Sequence, residues 1–219
     1  MGQAKQRGSR EERIAQAIER NANEGIQTTP KSNSYTPMDW MLANQRVSSL
    51  FNNLTTPSSI DKNVVQFAKM VSDQEPMYLK CEPEPWSKQS CCDMNVEKYI
   101  EQHGGKMLCG YRVWYNAPDY IEGERHAVWT DGSAIRDVSF CDSGEQTIVF
   151  VPDGHGFGDV PGKVRHTFVE SRQAALAEFH RIEQAMIRST SPEQAWEMMP
   201  SYEQWQAGSR SSNLFFGLG

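Results

Sequence analysis

Short β-forming segments separated by turn residues fill the stretch between residues 106 and 152, and this pattern constrains the fold more than any other feature. The dipeptide Asp131-Gly132 favours the tight turn of a β-hairpin, so the segments on its two sides are predicted to pair. The predicted strands are Lys106–Tyr115, Arg125–Thr130, Ala134–Phe140 and Thr147–Pro152. The stretch is therefore predicted to form an antiparallel β-meander.

Helical periodicity flanks the predicted meander on both sides. The segment Asp93–His103 carries Val96, Tyr99 and Ile100 at helical spacing, and Gly104-Gly105 is a typical end for such a helix. Further elements are predicted as helices at Arg10–Asn21, Met38–Leu54, Lys62–Ser72 and Thr167–Arg188, shorter helices after Ser191 and Ser201, and a short strand at Met77–Lys80. The chain is therefore predicted to have an α+β fold, in which a helix is followed by an antiparallel β-meander and additional helices lie at both ends.

The composition predicts one compact domain with polar extensions. The chain has 219 residues, of which 38% are apolar, and its mean hydropathy of −0.65 is low for a fully packed domain of this length. Residues 22–37 are rich in Asn, Gly, Thr, Pro and Ser, as in a linker. We therefore expect an N-terminal helix and flexible arm over residues 1–37, an α+β domain over 38–190, and short C-terminal helices with a tail over 191–219.

Charge and cysteine content narrow the expected partners and location. The net charge of −6 disfavours nucleic acid as the main partner, because phosphate binding needs clustered Lys and Arg. The five cysteines are irregularly spaced, so no secreted disulfide framework is predicted. No apolar run approaches the ~20 residues of a membrane span, and the N-terminus lacks the apolar region of a signal peptide. We expect a cytoplasmic protein with reduced thiols and no membrane association.

Three side chains in the central stretch could form a nucleophilic site. Cys92 stands where the predicted helix begins, and a helix N-terminus stabilises the thiolate that a cysteine nucleophile requires. His126 lies on one predicted strand and Asp137 on the next, and a register centred on Asp131-Gly132 would make them near cross-strand partners. Asp137 could then hold the imidazole tautomer while His126 serves Cys92 as the base.

The same residue types allow other interpretations. A cysteine at a helix start can be a small buried apolar residue, a histidine between β-formers can be structural, and an aspartate after a turn can be solvated. Cysteine and histidine could also bind zinc, although no C-x-x-C pair is present. The candidate zinc ligands are Cys81, Cys91, Cys92, Cys109, Cys141, His103, His126 and His155. His155, in the Gly-rich loop Gly154–Gly162, is also an alternative base.

The order of these elements resembles that of the papain-like and transglutaminase-like cysteine enzymes. The motifs that carry the resemblance are Cys92-Asp93-Met94-Asn95-Val96, Gly104-Gly105, Gly110-Tyr111, His126-Ala127-Val128-Trp129 and Asp137-Val138-Ser139. They cover roughly residues 86–152 and also resemble an uncharacterised bacterial and phage family with a Cys-x-x-Asn helix and a His-Ala-Val-Trp strand. The resemblance implies a papain-like domain with a Cys92, His126 and Asp137 triad.

The resemblance also implies an oxyanion donor before the nucleophile. Papain-like enzymes place a glutamine several residues before the cysteine, and here Gln89 stands closer to Cys92 than is usual. Gln89 and the Cys92 backbone N–H are the oxyanion donors that the resemblance implies. Two further departures are Cys91, where transglutaminases often have an aromatic residue, and Val138-Ser139 in place of Pro-Thr.

The function implied by this resemblance is cysteine-dependent acyl transfer. Amide hydrolysis, deamidation and transamidation all proceed through a thioester on the cysteine, and the sequence does not distinguish among the three reactions. The expected substrate or partner is a protein or peptide, such as a protein glutamine or an isopeptide, and no cofactor or metal is predicted. The alternative is a catalytically inactive papain-like binding module, such as a phage or bacterial inhibitor or host-interaction protein. A third interpretation is a metal-stabilised structural protein.

Overall fold

The computed structural model of the protein describes residues 35–186 and 191–210. The chain separates into two compact units, Met1–Thr36 and Pro37–Gly219, and the second unit contains every helix and strand given below. The predicted helix Arg10–Asn21 and most of the predicted flexible arm lie outside the described residues. None of the described helices has the length and apolar character needed to cross a membrane.

Six strands form one antiparallel sheet in the described part of the chain. They are β1 (Met77–Lys80), β2 (Lys106–Asn116), β3 (Tyr120–Thr130), β4 (Ile135–Arg136), β5 (Thr147–Pro152) and β6 (Lys163–Thr167). Their order is β1-β5-β2-β3-β4, and β6 pairs with the first half of β3. Together with the helices this is an α+β architecture, so the predicted fold class is confirmed at that level.

Helices precede, interrupt and follow the sheet. They are α1 (Pro37–Phe51), α2 (Lys62–Val71), α3 (Cys92–His103), α4 (Gln173–Met186), α5 (Pro192–Met198) and α6 (Tyr202–Gln206), with a 3₁₀ turn at Glu170–Arg172. The side chain of Asp61 caps α2 by accepting from the backbone N–H groups of Asn63 and Val64. Ser191 and Ser201 each form a capping box that starts α5 and α6.

The observed sheet is larger than the predicted meander. The predicted strand Arg125–Thr130 is too short, because β3 already begins at Tyr120, opposite Asn116. The predicted helix Thr167–Arg188 starts too early. Thr167 is the last residue of strand β6, the 3₁₀ turn follows at Glu170–Arg172, and α4 begins only at Gln173. Lys163 and Arg165 of β6 lie within ion-pair distance of Glu122 on β3, a long-range pairing that no local pattern encodes.

Strand β4 is much shorter than the predicted strand Ala134–Phe140. It ends at Arg136 because the chain then leaves β3 and turns toward the end of β1. There Asp137 forms a parallel bridge with Cys81, and the Glu82 backbone N–H donates to the Asp137 carbonyl at 2.8 Å. The two end strands of the sheet, β1 and β4, therefore come together, and Asp137 lies where they meet.

The two faces of the sheet pack against different partners. Helix α2 packs on one face through a cluster that comprises Val64, Phe67, Ala68, Val113, Tyr115, Ile121, Val149 and Val151. Helix α3 packs through Val96 and Tyr99 against Ala127. Ala127 and Ile121 are both odd-numbered residues of β3, so their side chains point to the same face, and α3 lies on the same face of the sheet as α2. The opposite face carries a separate cluster of Val128, Ile148 and Phe150.

Candidate active site

Cys92 is the first residue of α3, as the sequence predicts. Its side chain is partly buried, and the residue before it, Cys91, caps the helix without a side-chain hydrogen bond. The first turn of a helix has unpaired backbone N–H groups and the positive end of the helix dipole, and both favour an anion. Cys92 therefore stands at the end of α3 where these N–H groups lie.

The neighbouring thiol of Cys91 has the opposite environment. It is buried, and burial, followed by the charge of Asp93, raises the pKa of Cys91 to about 12. Such a thiol stays protonated at neutral pH and is a poor nucleophile. The adjacent pair is thus divided into a buried structural thiol and a partly exposed candidate nucleophile.

His126 lies at the centre of β3, directly opposite Gly110 of β2. A Cβ atom at Gly110 would collide with the Val151 carbonyl oxygen, so the close approach of β2 and β5 requires glycine here. On its outer edge β3 pairs with β6 as far as Glu124 and with β4 only from Trp129. His126 lies in the interval between these two partners, where the edge of β3 is not covered by a strand of the described chain.

Asp137 contacts His126, as predicted. Asp137 Oδ2 lies 3.1 Å from His126 Nε2, and the two side chains are 1% and 8% exposed. The contact is within ion-pair distance, and Nε2 makes no hydrogen bond within the described residues. The other carboxylate oxygen, Oδ1, accepts a hydrogen bond of 2.9 Å from the Ser139 backbone N–H.

The predicted register of the hairpin is wrong, although the predicted contact is present. Trp129 pairs with Arg136 and Thr130 with Ile135, so the pairing is not centred on Asp131-Gly132. Continued past Arg136, this register would set Ser139 opposite His126 and Asp137 two residues away on the same face. The chain leaves β3 after Arg136, however, so His126 and Asp137 meet through their side chains and not as paired strand residues.

Electrostatics favour a protonated His126. Burial lowers the pKa of His126, but electrostatic interactions with Asp137 and then with Cys92 outweigh burial and raise the pKa to about 10. Because Cys92 contributes to the raised pKa of His126, the Cys92 sulfur lies within interaction range of the imidazole. The structure thus brings Cys92, His126 and Asp137 into one cluster.

Gln89 lies in the buried loop that precedes Cys92. The residue is 4% exposed, its backbone N–H donates to the Pro200 carbonyl at 3.1 Å, and its side-chain Oε1 has no hydrogen-bond partner among the described residues. The next residue, Ser90, adopts a positive φ of 56°, which turns the chain sharply toward α3. The assignment of Gln89 as an oxyanion donor stays a prediction.

The C-terminal segment holds this loop, a contact that the sequence analysis missed. Backbone hydrogen bonds join Tyr202 N–H to the Ser87 carbonyl at 2.8 Å and Glu203 N–H to the Pro85 carbonyl at 3.0 Å. Lys88 Nζ donates to the Met199 carbonyl at 2.9 Å. The serine caps predict that α5 and α6 form, but nothing local indicates where they dock.

Arg125 is a second residue that the sequence analysis missed. Its guanidinium is buried and pairs with Asp153 at 2.5 Å. It also donates to the carbonyls of His155 and Gly156, both at 2.9 Å, and of Phe157 at 3.1 Å. One cation therefore fixes the backbone of the Gly-rich loop, and Phe157 from this loop packs against the same cluster as Cys92.

The rival sites are not assembled in the described part of the chain. No group of three or more His, Cys, Asp or Glu side chains is arranged to hold a metal ion there. His155, the alternative base, lines an open groove of about 340 Å³ between the end of α2 and the Gly-rich loop, and neither Cys92 nor His126 lines that groove.

Comparison with known proteins gives no relative from which a function could be transferred. No family model, no curated protein and no solved structure matches this chain.

Proposed function

We propose that the protein is a cysteine-dependent acyl-transfer enzyme of papain-like or transglutaminase-like architecture, with Cys92 as nucleophile. The observation that carries the proposal is the 3.1 Å contact between His126 and Asp137 beside a cysteine that begins a helix. Acyl transfer by a thiol needs this combination of a stabilised thiolate, an imidazole in range and a group that orients the imidazole.

The chemistry balances with these groups alone. The Cys92 thiolate attacks the carbonyl carbon of an amide, the C–N bond breaks, and the amine leaves with the proton of the His126 imidazolium. A thioester on Cys92 remains. Water or a second amine then attacks the thioester, His126 takes the proton of that nucleophile, and Cys92 leaves as a thiolate. Asp137 stabilises the imidazolium at the start and end of each cycle.

Hydrolysis, deamidation and transamidation differ only in the acyl donor and in the second nucleophile. In each case the tetrahedral oxyanion needs hydrogen-bond donors, and we assign this role to the Cys92 backbone N–H and the Gln89 side chain. Gln89 fits because its loop directly precedes Cys92 and is joined to the C-terminal segment by backbone hydrogen bonds. The expected substrate class is a protein or peptide amide.

Acylation by a small activated ester tests the proposal without knowledge of the natural substrate. The protein is treated with p-nitrophenyl acetate, and the acetylated cysteine is identified by mass spectrometry of peptides. We expect acetyl-Cys92 to form first and then to decay, with decay accelerated by added hydroxylamine. In His126→Asn, acetylation of Cys92 should fall to the rate of an ordinary thiol.

A matched control separates the candidate nucleophile from its neighbour. Cys91→Ala removes a thiol one residue away that burial keeps protonated, so the rate at Cys92 should be retained. Equal and slow acetylation of the cysteines in wild type and in His126→Asn would contradict the proposal.

The second candidate function is a catalytically inactive binding module of the same architecture. The observation that favours it is the groove lined by Lys69–Gln74 and Asp153–His155, because this cavity of about 340 Å³ does not include the triad. In that case the fold would be retained for partner contact, and none of the cysteines would react as a thiolate near pH 6.

A further inference from the structure

Asn95 is a fully buried polar side chain in the first turn of α3. Its Oδ1 accepts from the Lys88 backbone N–H at 2.7 Å, and its Nδ2 donates to the Lys88 carbonyl at 2.9 Å and to Ser139 Oγ at 3.2 Å. Both hydrogens of its amide group are therefore used, and its exposed fraction is 0%. The Asn95 side chain forms hydrogen bonds with both backbone groups of Lys88, as a residue on a neighbouring strand would.

These hydrogen bonds connect the helix of the nucleophile to both of the other parts of the candidate site. Lys88 directly precedes Gln89 in the loop that leads to Cys92. Ser139 donates its backbone N–H to Asp137 Oδ1 at 2.9 Å, while Asp137 Oδ2 faces His126 at 3.1 Å. A continuous path of contacts therefore runs from Asn95 through Ser139 and Asp137 to the imidazole.

We propose that Asn95 is a positioning residue for the Cys92–His126–Asp137 site, an inference that rests on the proposed acyl-transfer function. Asn95 does not touch the reacting atoms. It fixes the start of α3 against the Gln89 loop on one side and against the segment that orients Asp137 on the other.

The physical reason lies in the precision that such a site needs. Cys92, Gln89 and Asp137 belong to three chain segments, and a displacement of about 1 Å between reacting groups can reduce a rate on the order of 100-fold. A satisfied buried carboxamide holds its partners in one geometry, because any shift would leave polar groups unpaired. Asn95 thus links segments that hydrophobic packing alone would hold less precisely.

The test is the pH profile of Cys92 alkylation by iodoacetamide in folded variants, measured by site-resolved mass spectrometry. Asn95→Asp keeps an acceptor for the Lys88 N–H but removes both donated hydrogen bonds, and Asn95→Ala removes all three. We expect both variants to label on the order of tenfold more slowly than wild type near pH 6 and to need a higher pH for rapid labelling. Ser139→Ala removes one bond and should move the profile less, in the same direction.

Asn63→Ala is the matched control. Asn63 also lies in the first turn of a helix, α2, and donates its side-chain amide to Tyr115 Oη at 2.8 Å and to the Pro118 carbonyl at 3.3 Å, away from the triad. This variant should lose stability without a change in the pH profile of Cys92. If Asn95→Ala does not fold, Asn95→Asp and Ser139→Ala decide the question.

Two results would overturn the inference, and they can be told apart. If His126→Asn slows Cys92 labelling while the folded Asn95 and Ser139 variants keep the wild-type profile, Asn95 is only structural and the proposed function stands. If His126→Asn itself keeps the wild-type profile, the proposed function fails, and the positioning role fails with it.

Discussion

The imidazole of His126 and the thiol of Cys81 approach the same carboxylate oxygen. Asp137 Oδ2 lies 3.1 Å from His126 Nε2 and 3.7 Å from Cys81 Sγ, which donates to it. Burial, followed by the charge of Asp137, raises the pKa of Cys81 to about 12. Cys81 therefore acts as a neutral donor that supports the carboxylate and does not compete with Cys92 as a nucleophile.

The first prediction concerns this division between thiols. In the native protein between pH 6 and 8, iodoacetamide should modify Cys92 and leave Cys81 and Cys91 unmodified, because burial keeps the latter two protonated. In urea all of them should react at similar rates. Rapid modification of Cys81 in the folded protein would contradict this assignment of roles.

The second prediction concerns the titration of His126. Its pKa is raised from 6.5 to about 10 because interactions with Asp137 and Cys92 outweigh burial, so removal of either group should lower it. NMR titration of the imidazole carbon-bound protons should show a lower pKa in Cys92→Ala, and also in Asp137→Asn. An unchanged pKa in Cys92→Ala would mean that the sulfur and the imidazole do not interact.

The same shift makes stability depend on pH. Because the pKa of His126 is higher in the folded protein than in the unfolded chain, its contribution is present in full below pH ~6.5 and is lost as the pH rises through about 10. Each unit of pKa shift corresponds to about 1.4 kcal/mol, so the contribution is on the order of a few kcal/mol. Urea unfolding at several pH values should show wild type losing its advantage over His126→Asn across this window.

The third prediction concerns the C-terminal segment. Met199 is 1% exposed and its carbonyl accepts from Lys88 of the Gln89 loop, whereas the adjacent Met198 is 64% exposed. Met199→Ala should lower the free energy of unfolding by about 2–5 kcal/mol, as for other buried methionines. Met198→Ala is the control and should stay within about 0.5 kcal/mol of wild type. Equal effects of the two substitutions in urea unfolding would contradict the observed docking.

The fourth prediction concerns the buried pair of Arg125 and Asp153. Arg125→Met leaves a buried carboxylate without its partner, which typically costs about 3–5 kcal/mol. The double variant Arg125→Met with Asp153→Asn should recover part of that loss, because no uncompensated charge remains. Urea unfolding of the two single variants and the double variant gives the coupling energy, and additive effects would show that the pair does not act as a unit.

Local patterns predicted the bounds of three elements around the candidate site closely. The bounds of β5 match the prediction, β2 differs by one residue, and α3 begins one residue earlier than predicted, at Cys92 itself. These elements have clear signals, namely glycine turns, β-branched runs and helical spacing. The contact of His126 with Asp137 was predicted as well, although from a hairpin register that the structure does not have.

The parts that failed depend on contacts between distant residues. Strand β6 alternates charged residues with Val164 and is stabilised by ion pairs to Glu122, so its own sequence does not read as a strand. The end of β4 depends on the bridge between Asp137 and Cys81, which lie 56 residues apart. The docking of residues 199–203 on the Gln89 loop uses backbone groups, which carry no residue-specific signal.

The most direct test of the central claim is the rate of iodoacetamide labelling at Cys92 between pH 5 and 9, in wild type and in His126→Asn. His166→Asn, a substitution on β6 outside the triad, is the control. We expect selective labelling of Cys92 near pH 6 in wild type and in the control, and its loss in His126→Asn. Slow labelling of Cys92 near pH 6 that is the same in all three proteins would contradict the claim that Cys92 and His126 form a working pair.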